Sequence, residues 1–292
     1  MSSIETPSDE NRDHFSGKVA AITGAGSGIG RALAIALAEL GCHLALADID
    51  AEGLAETVAE CEGRAVKVTA TDLDVSDREA VFAWAEEVVE AHGAAHFIFN
   101  NAGVALGAPV ESMTHEDFAW LMDINFWGVI HGTQAFLPIF KSGGAGHIIN
   151  ISSVFGLLSI PTQSAYNAAK FGVRGFTDAL RMELEIEGSP VSATTIHPGG
   201  IKTNIVRNGR FDEELEAEAG GRQATVDEFD KTALTTPDKA AQQILRAVRR
   251  NRRRALIGPD AIAFDAVSRL PASLSQRLLI TIGKRRQLSQ GQ

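Results

Sequence analysis

The sequence predicts a doubly wound α/β fold: a seven-stranded, mostly parallel sheet with helices on both faces. Three observations carry this. From Lys18 onward, short runs that are apolar throughout alternate with longer amphipathic segments. Strands of that kind are buried on both sides, as parallel strands joined by helical crossovers must be. The first apolar run ends in a glycine-rich loop that leads straight into a helix, and no Gly/Ser/Pro-rich linker or repeat divides the chain. One domain is therefore expected over residues 16–262.

Each element follows in order. "KVAAITG" reads as a buried strand and "GRALAIALAELG" as a helix closed by Gly41. "CHLALAD" is the second strand, followed by the helical "AEGLAETVAECEG". "AVKVTATDLDV" is the third, and Ser76 is the expected cap of the next helix, ahead of Glu79. "HFIFNNAG" is the fourth strand, and a long helical region from Thr114 ends near Gly143 and Gly144. "GHIINISSV" is the fifth, "AYNAAKFGVRGFTDALRMELEIEG" a helix, and "VSATTIHPG" the sixth. A helix from Pro237 and the short strand "RALIGP" complete the sheet, and a helical tail is expected over 263–292.

Composition excludes several classes of function. Lys plus Arg number 27 against 37 for Asp plus Glu, a net charge of −10, which argues against nucleic acid as a partner. Cys42 and Cys61 are too few for a disulfide framework and lack metal-site spacing, which points to a reducing cytoplasm and to no bound metal. The first fifteen residues are polar and acidic, without a signal pattern, and read as a short disordered leader. No apolar run approaches the roughly 20 residues of a membrane span.

The loop "TGAGSGIG" places Gly24, Gly28 and Gly30 between the first strand and the first helix, with Ser27 and Ile29 among them. Such glycines let the backbone approach a pyrophosphate, and the helix N-terminus offers it amide N–H groups. A tight turn alone would also need glycine, but the strand–loop–helix context favours dinucleotide binding. Asp48 ends the second strand, where a carboxylate would accept from both adenosine ribose hydroxyls and repel a 2′-phosphate. No Arg or Lys stands at 25–27 or 49, and Ile49 joins the same site, so NAD is expected over NADP. The competing role for Asp48 is a turn or helix cap, a duty for which Asp50 also qualifies.

Tyr166 is the only tyrosine in the chain, and Lys170 stands four residues on, so both project from one helical face. A free phenol titrates near ~10, and bringing it to neutrality needs about 3 units, or roughly 4 kcal/mol. Lys170 and a positive nicotinamide ring are the two cations expected to favour the phenolate, which could then act as general base. An amphipathic helix with a snorkelling lysine would show the same spacing. Ser153, thirteen residues earlier at the end of the fifth strand, shifts the balance, because strand C-termini line the ligand crevice of α/β sheets. Strand alternation would turn Ser152 to the other face.

These residues resemble the short-chain dehydrogenases/reductases in their compact, single-domain form. The resemblance covers about residues 16 to 260 and rests on ordered motifs: "TGAGSGIG", Asp74 in "DLDVSD", "NNAG" at 100–103, Asn125 in "DINFWG", Ser153, "YNAAK" and "HPGGIKT". It implies a Rossmann fold and a role for each matching residue. Asp74 and Val75 would flank the adenine. Asn100 would brace the central strand, with Asn101, Ala102 and Gly103 lining the cofactor. Asn125 would keep a water in a proton relay from Lys170. Pro198, Gly199, Ile201 and Thr203 would hold the nicotinamide carboxamide, and Lys170 the nicotinamide ribose. Turn chemistry would also account for Asn101–Gly103, a helix kink for Asn125, and strand termination for Pro198–Gly199. The glycine spacing departs from the family's larger epimerase branch.

Residues 204–235 are polar, acidic and glycine-interrupted, and the resemblance implies a mobile lid there; the run "DEELEAE" also reads as a solvated helix face. The apolar segments "VALGAPVESM" and "VFGLLSI" suggest a lipophilic substrate. The Arg-rich stretch 246–254 and the tail read first as packing or subunit contacts, with an anionic membrane surface second. The expected function is an NAD-dependent dehydrogenase of secondary, lipophilic alcohols, with Tyr166 as acid/base and Ser153 orienting the substrate oxygen. The resemblance implies a homodimer or homotetramer built on the helices carrying Asn125 and Tyr166. The rival reading is a catalytically silent NAD-binding sensor or scaffold, which would have no need of Tyr166.

Overall fold

The computed structural model describes residues 14–290. The expected leader lies outside them except for its last two residues, and Phe15 is fully buried, tilted against Phe97 at 5.2 Å.

The described residues form nine strands: β1 Val19–Thr23, β2 His43–Asp48, β3 Val68–Asp72, β4 Phe97–Asn100, β5 Leu106–Gly107, β6 Gly146–Ile151, β7 Val191–Pro198, β8 Arg210–Phe211 and β9 Arg254–Ile257. The helices are α1 Gly28–Glu39, α2 Ala51–Cys61, α3 Arg78–His92, α4 His115–Met122, α5 Gly128–Gly143, α6 Ser164–Ile186, α7 Glu213–Glu218, α8 Arg222–Thr232, α9 Pro237–Arg249, α10 Pro259–Ser268 and α11 Ala272–Gln290. Local chemistry accounts for the boundaries. Asp50 caps α2 by accepting from Gly53 N–H, and Thr114 caps α4 by accepting from Asp117 N–H. Gly41, at φ +79°, follows the end of α1 as expected. The cap of α3 is Asp77 rather than Ser76: Asp77 accepts from Ala80 N–H, while Ser76 turns its hydroxyl to Asp74. Both are good capping types, and only the phase of the helix decides between neighbours.

Seven strands form one sheet in the order β3-β2-β1-β4-β6-β7-β9, and every pairing is parallel. The order reverses between β1 and β4, which opens a crevice at the strand C-termini. Alternation along β1 divides the core. Ala20 and Ile22 face Leu33 and Leu37 of α1 and Ile244 of α9; Val19 and Ala21 face Trp84 of α3 and Phe136 of α5. Trp84 and Phe136 meet edge to face at 5.4 Å, and truncating Trp84 to alanine would cost about 3–5 kcal/mol.

A second, two-stranded sheet joins β5 to β8. It ties the 204–235 segment to the apolar wall after β4, a link no periodicity in the sequence announces. Within that segment α7 buries no residue, the solvated face that its acidic run suggested.

Candidate active site

The glycine loop leaves β1 and enters α1 through two left-handed positions, Gly24 at φ +66° and Gly28 at φ +53°. A Cβ on Gly30 would collide with the Gly24 carbonyl, so the loop and first helical turn are pressed together. Ser27 sits at the N-cap position, but its side chain caps none of the first-turn amides. Those donors remain available to an anion at the positive end of the helix. Asn101 locks the loop from β4: its Nδ2 donates to the Thr23 carbonyl at 2.9 Å and to the Gly24 carbonyl at 3.1 Å. Thr23 answers by accepting from the backbone N–H groups of Asn101 and Ala102. Thr23 opens the quoted loop motif, but its part in pinning Asn101 and Ala102 was not read from the sequence.

Asp48 and Asp50 divide the duties left open above. Asp50 is the helix cap, whereas Asp48 accepts from Gly26 N–H at 2.7 Å through Oδ2 and from Asp50 N–H through Oδ1. These bonds hold the Asp48 carboxylate beside the glycine loop, and Ile49 next to it is 67% exposed. An isoleucine left so open at this edge fits an apolar ring lying against it. Arg31, overlooked in the sequence, lines the same cavity with Gly26, Ser27, Gly28 and Glu56. Its guanidinium is engaged by Glu56 at 2.8 Å, by Glu60 at 3.6 Å and by the Gly53 carbonyl. Arg31, the cation among the residues lining this cavity, is thus already paired with carboxylates.

Further along, Asp74 accepts from Ser76, and Val75 buries its side chain against Gly128 of α5. Asn100 braces the central strands by donating to Asn150 Oδ1 at 2.8 Å. Thr203 reaches back over the loop, where a Cβ on Gly28 would meet its methyl at 3.0 Å. Ile201 is buried and bridges to Thr235. The segments after β1, β4, β6 and β7 therefore converge on one crevice edge.

Tyr166, Lys170, Ser153 and Asn125 come together at the same mouth. The Lys170 Nζ lies 5.6 Å from the centre of the Tyr166 ring and donates to the Ile151 carbonyl at 3.0 Å. Asn125 lies in a π-helical turn, Asp123–Trp127, between α4 and α5. There it holds Val104 at two points, accepting from its N–H and donating to its carbonyl, both at 2.8 Å. A Cβ on Gly103 would stand 3.2 Å from Asn125 Oδ1 and 3.6 Å from Lys170 Nζ, so these groups enclose Gly103. Ser153 turns its hydroxyl to Tyr166 and to Phe155 N–H, while Ser152 donates to the Lys170 carbonyl on the other face. His197 Nδ1–H donates to the Ser153 carbonyl at 2.9 Å, a contact the sequence did not suggest.

Electrostatics depart from expectation at one point. Burial pushes the Tyr166 phenol up to about 12, and the hydrogen bond from Ser153 only partly opposes it. Burial likewise lowers the Lys170 ammonium to about 8. Desolvation therefore dominates, and the lowering of the phenol by Lys170 that the spacing predicted is absent from the causes that act on it. Among the described residues no cluster of three or more His, Cys, Asp or Glu could hold a metal ion, and no helix is long and apolar enough to cross a membrane.

A loop whose glycines a Cβ would fill, uncapped first-turn amides and a fixed Asp48 fit a dinucleotide. A family model described as short chain dehydrogenase matches residues 18–214. The Mycobacterium tuberculosis protein named "Putative oxidoreductase SadH" is 47% identical over 266 residues, covering 91% of this chain and 95% of its own. The crystal structure of a short chain dehydrogenase/reductase from Burkholderia phymatum in complex with NAD superposes with a TM-score of 0.79 at 35% identity, covering 87% of this chain and 93% of that one. Levodione reductase superposes with a TM-score of 0.74 at 32% identity, covering 85% of this chain and 99% of its own. By sequence and fold, this chain belongs to the short-chain dehydrogenase/reductase family of oxidoreductases.

Proposed function

We propose that the protein is an NAD-dependent oxidoreductase that interconverts a secondary, lipophilic alcohol and its ketone, with Tyr166 as the acid/base. The observation that carries this is the juxtaposition of Tyr166, Ser153 and Lys170 at the crevice where the sheet order reverses. When bound, NAD⁺ accepts a hydride at nicotinamide C4 and brings a positive ring close to the phenol. Gly24, Ser27, Gly28, Ile29 and Gly30 would hold its pyrophosphate, Asp48 and Ile49 its adenosine, and Asn101–Gly103 with Pro198, Gly199, Ile201 and Thr203 its nicotinamide half. Asp48 favours NAD over NADP, and Arg31, the cation lining the neighbouring cavity, is already engaged by Glu56 and Glu60.

The pKa argument states what must be supplied. Lowering the phenol from about 12 to neutrality takes about 5 units, or about 7 kcal/mol. A cation at 5.6 Å, the distance of Lys170 Nζ from the ring centre, supplies roughly 3 kcal/mol at an effective dielectric of about 20, so Lys170 alone is too little and the positive nicotinamide ring would have to supply the rest. Near pH 7 Lys170 stays mostly protonated. Ser153 would orient the substrate oxygen, Tyr166 would take its proton, and Lys170, through a water kept by Asn125, would relay it to solvent. Phe155 stands edge-on to Tyr166 at 6.1 Å, Leu157 and Leu158 are buried beside it in the chain, and Phe211 of β8 covers Gly107. These apolar walls support a lipophilic substrate.

A homo-oligomer is also proposed: Trp127 in the π-helical turn and Phe171, Met182 and Ile186 on α6 are exposed, Ile186 by 85%. Purified protein supplied with NAD⁺ and secondary alcohols, from short aliphatics through terpenoids to sterols, should form NADH with the larger apolar members. Turnover confined to polyols would overturn the lipophilic assignment.

A further inference from the structure

Helix α10 lies beyond the residues matched by the family model, yet it reaches both halves of the candidate site. Asp260 stands in its first turn. An aspartate there ordinarily accepts from the helix's own amides. This one instead accepts from Gly200 N–H, sixty residues upstream in the turn after β7, at 2.5 Å through Oδ2. The fit is tight, since a Cβ on Gly199 would collide with both carboxylate oxygens. Its other oxygen, Oδ1, is buried without a hydrogen-bond partner among the described residues. One turn later on the same face, Phe264 meets Phe155 at 6.1 Å, and Phe155 in turn meets Tyr166.

The turn is fastened on its other sides too. Gly199 N–H donates to the Ile257 carbonyl of β9 at 2.9 Å, and Thr235 N–H to the Gly200 carbonyl at 3.3 Å. Asp260 therefore uses the one remaining donor of the Gly199–Gly200 pair. A buried oxygen left unpartnered is a cost to the fold. What the carboxylate gives in return is the position of Gly199 and Gly200.

We propose that Asp260 is a positioning residue for the nicotinamide end of the cofactor site, holding the 198–200 turn in place through the Gly200 amide. This deepens the NAD reading above and rests on it. The test compares binding of NAD⁺ and of ADP-ribose, which lacks the nicotinamide, to the full chain by calorimetry, for wild type, Asp260→Ala and Asp260→Asn. Asn keeps an acceptor oxygen for Gly200. Asp260→Ala should weaken NAD⁺ about tenfold, as loss of a charge-assisted hydrogen bond does, while ADP-ribose changes by less than about twofold and Asp260→Asn stays near wild type. Amide exchange at Gly200 should quicken in Asp260→Ala without any ligand. Should Asp260→Ala fail to fold, Gly199→Ala, which must displace the carboxylate, is expected to lose NAD⁺ selectively as well. Equal weakening of both ligands, or unchanged NAD⁺ binding with an unchanged Gly200 amide, overturns the proposal. Wild-type protein that binds no NAD⁺ overturns the cofactor reading itself, and a quickened Gly200 amide would then show that the latch exists but serves something else.

Discussion

Replacing Lys170 by methionine is expected to abolish turnover and, near neutral pH, to stabilise the fold. Lys170 is buried, and burial lowers its ammonium from 10.5 to about 8. The charged form is therefore disfavoured by folding by about 2.5 units, or about 3 kcal/mol at pH 7. Methionine has similar length and no charge, but it leaves the Ile151 carbonyl without its donor, a loss of about 1–2 kcal/mol. The net gain at pH 7 is about 1–2 kcal/mol. The pH dependence is sharper. Between the folded and unfolded pKa values the unfolded chain binds the extra proton, so wild-type stability rises with pH through the window from about 8 to 10.5. The variant lacks that rise, so its advantage should fall by about 2 kcal/mol from pH 7 to 9.5, vanishing or slightly reversing. Urea titrations of both proteins across that range measure it. A gap that does not change with pH would refute the claim that Lys170 carries a buried, destabilising charge.

Three further outcomes are expected. Burial lowers His147 to about 3 and His197 to about 4, so the unfolded chain takes up their protons first as pH falls below 6.5. Each contributes up to about 1.4 kcal/mol of lost stability per pH unit between pH 6 and 4, so replacing His147 by a neutral residue should lower the slope in acid melts by about that amount. Asp48→Ala should raise the KM for NAD⁺ about 10- to 100-fold, from the loss of hydrogen bonds to a carboxylate, and narrow the preference over NADP⁺; an unchanged cofactor ratio would contradict the role given to Asp48. Phe264→Ala, acting through Phe155, should shift kcat/KM between small and bulky ketones by about tenfold with NAD⁺ binding unchanged, which competition assays would measure.

The fold was legible because its signals are local and repeated. Apolar strand runs alternate with helical ones, glycine punctuates a strand–helix junction, and Tyr166 and Lys170 share a helical face. Asp48 and Asp50 show the limit of that reading. Both are plausible caps in the sequence, and only the direction of the chain after β2 assigns Asp50 to the helix and Asp48 to the loop. Ser76 and Asp77 are the same ambiguity, resolved the other way. Contacts made by one residue at long range left no pattern at all. Thr23 with Asn101, Arg31 with Glu56, the two-residue pairing of β5 with β8, and Asp260 on Gly200 belong to this class. The raised phenol was missed for a different reason: spacing reveals which charge is near, but not how much solvent has been removed.

The central claim is that Tyr166 moves the proton while NAD⁺ takes the hydride. It is tested most directly by measuring NADH formation and NAD⁺ affinity side by side for wild type and Tyr166→Phe on the same secondary alcohols. The account predicts NAD⁺ binding within about twofold of wild type and a loss of turnover of at least about 10²-fold, the contribution of a positioned acid/base. A phenylalanine variant that turns over as the wild type does would contradict it, and a wild type that binds NAD⁺ but oxidises nothing would favour a sensor built on the same fold.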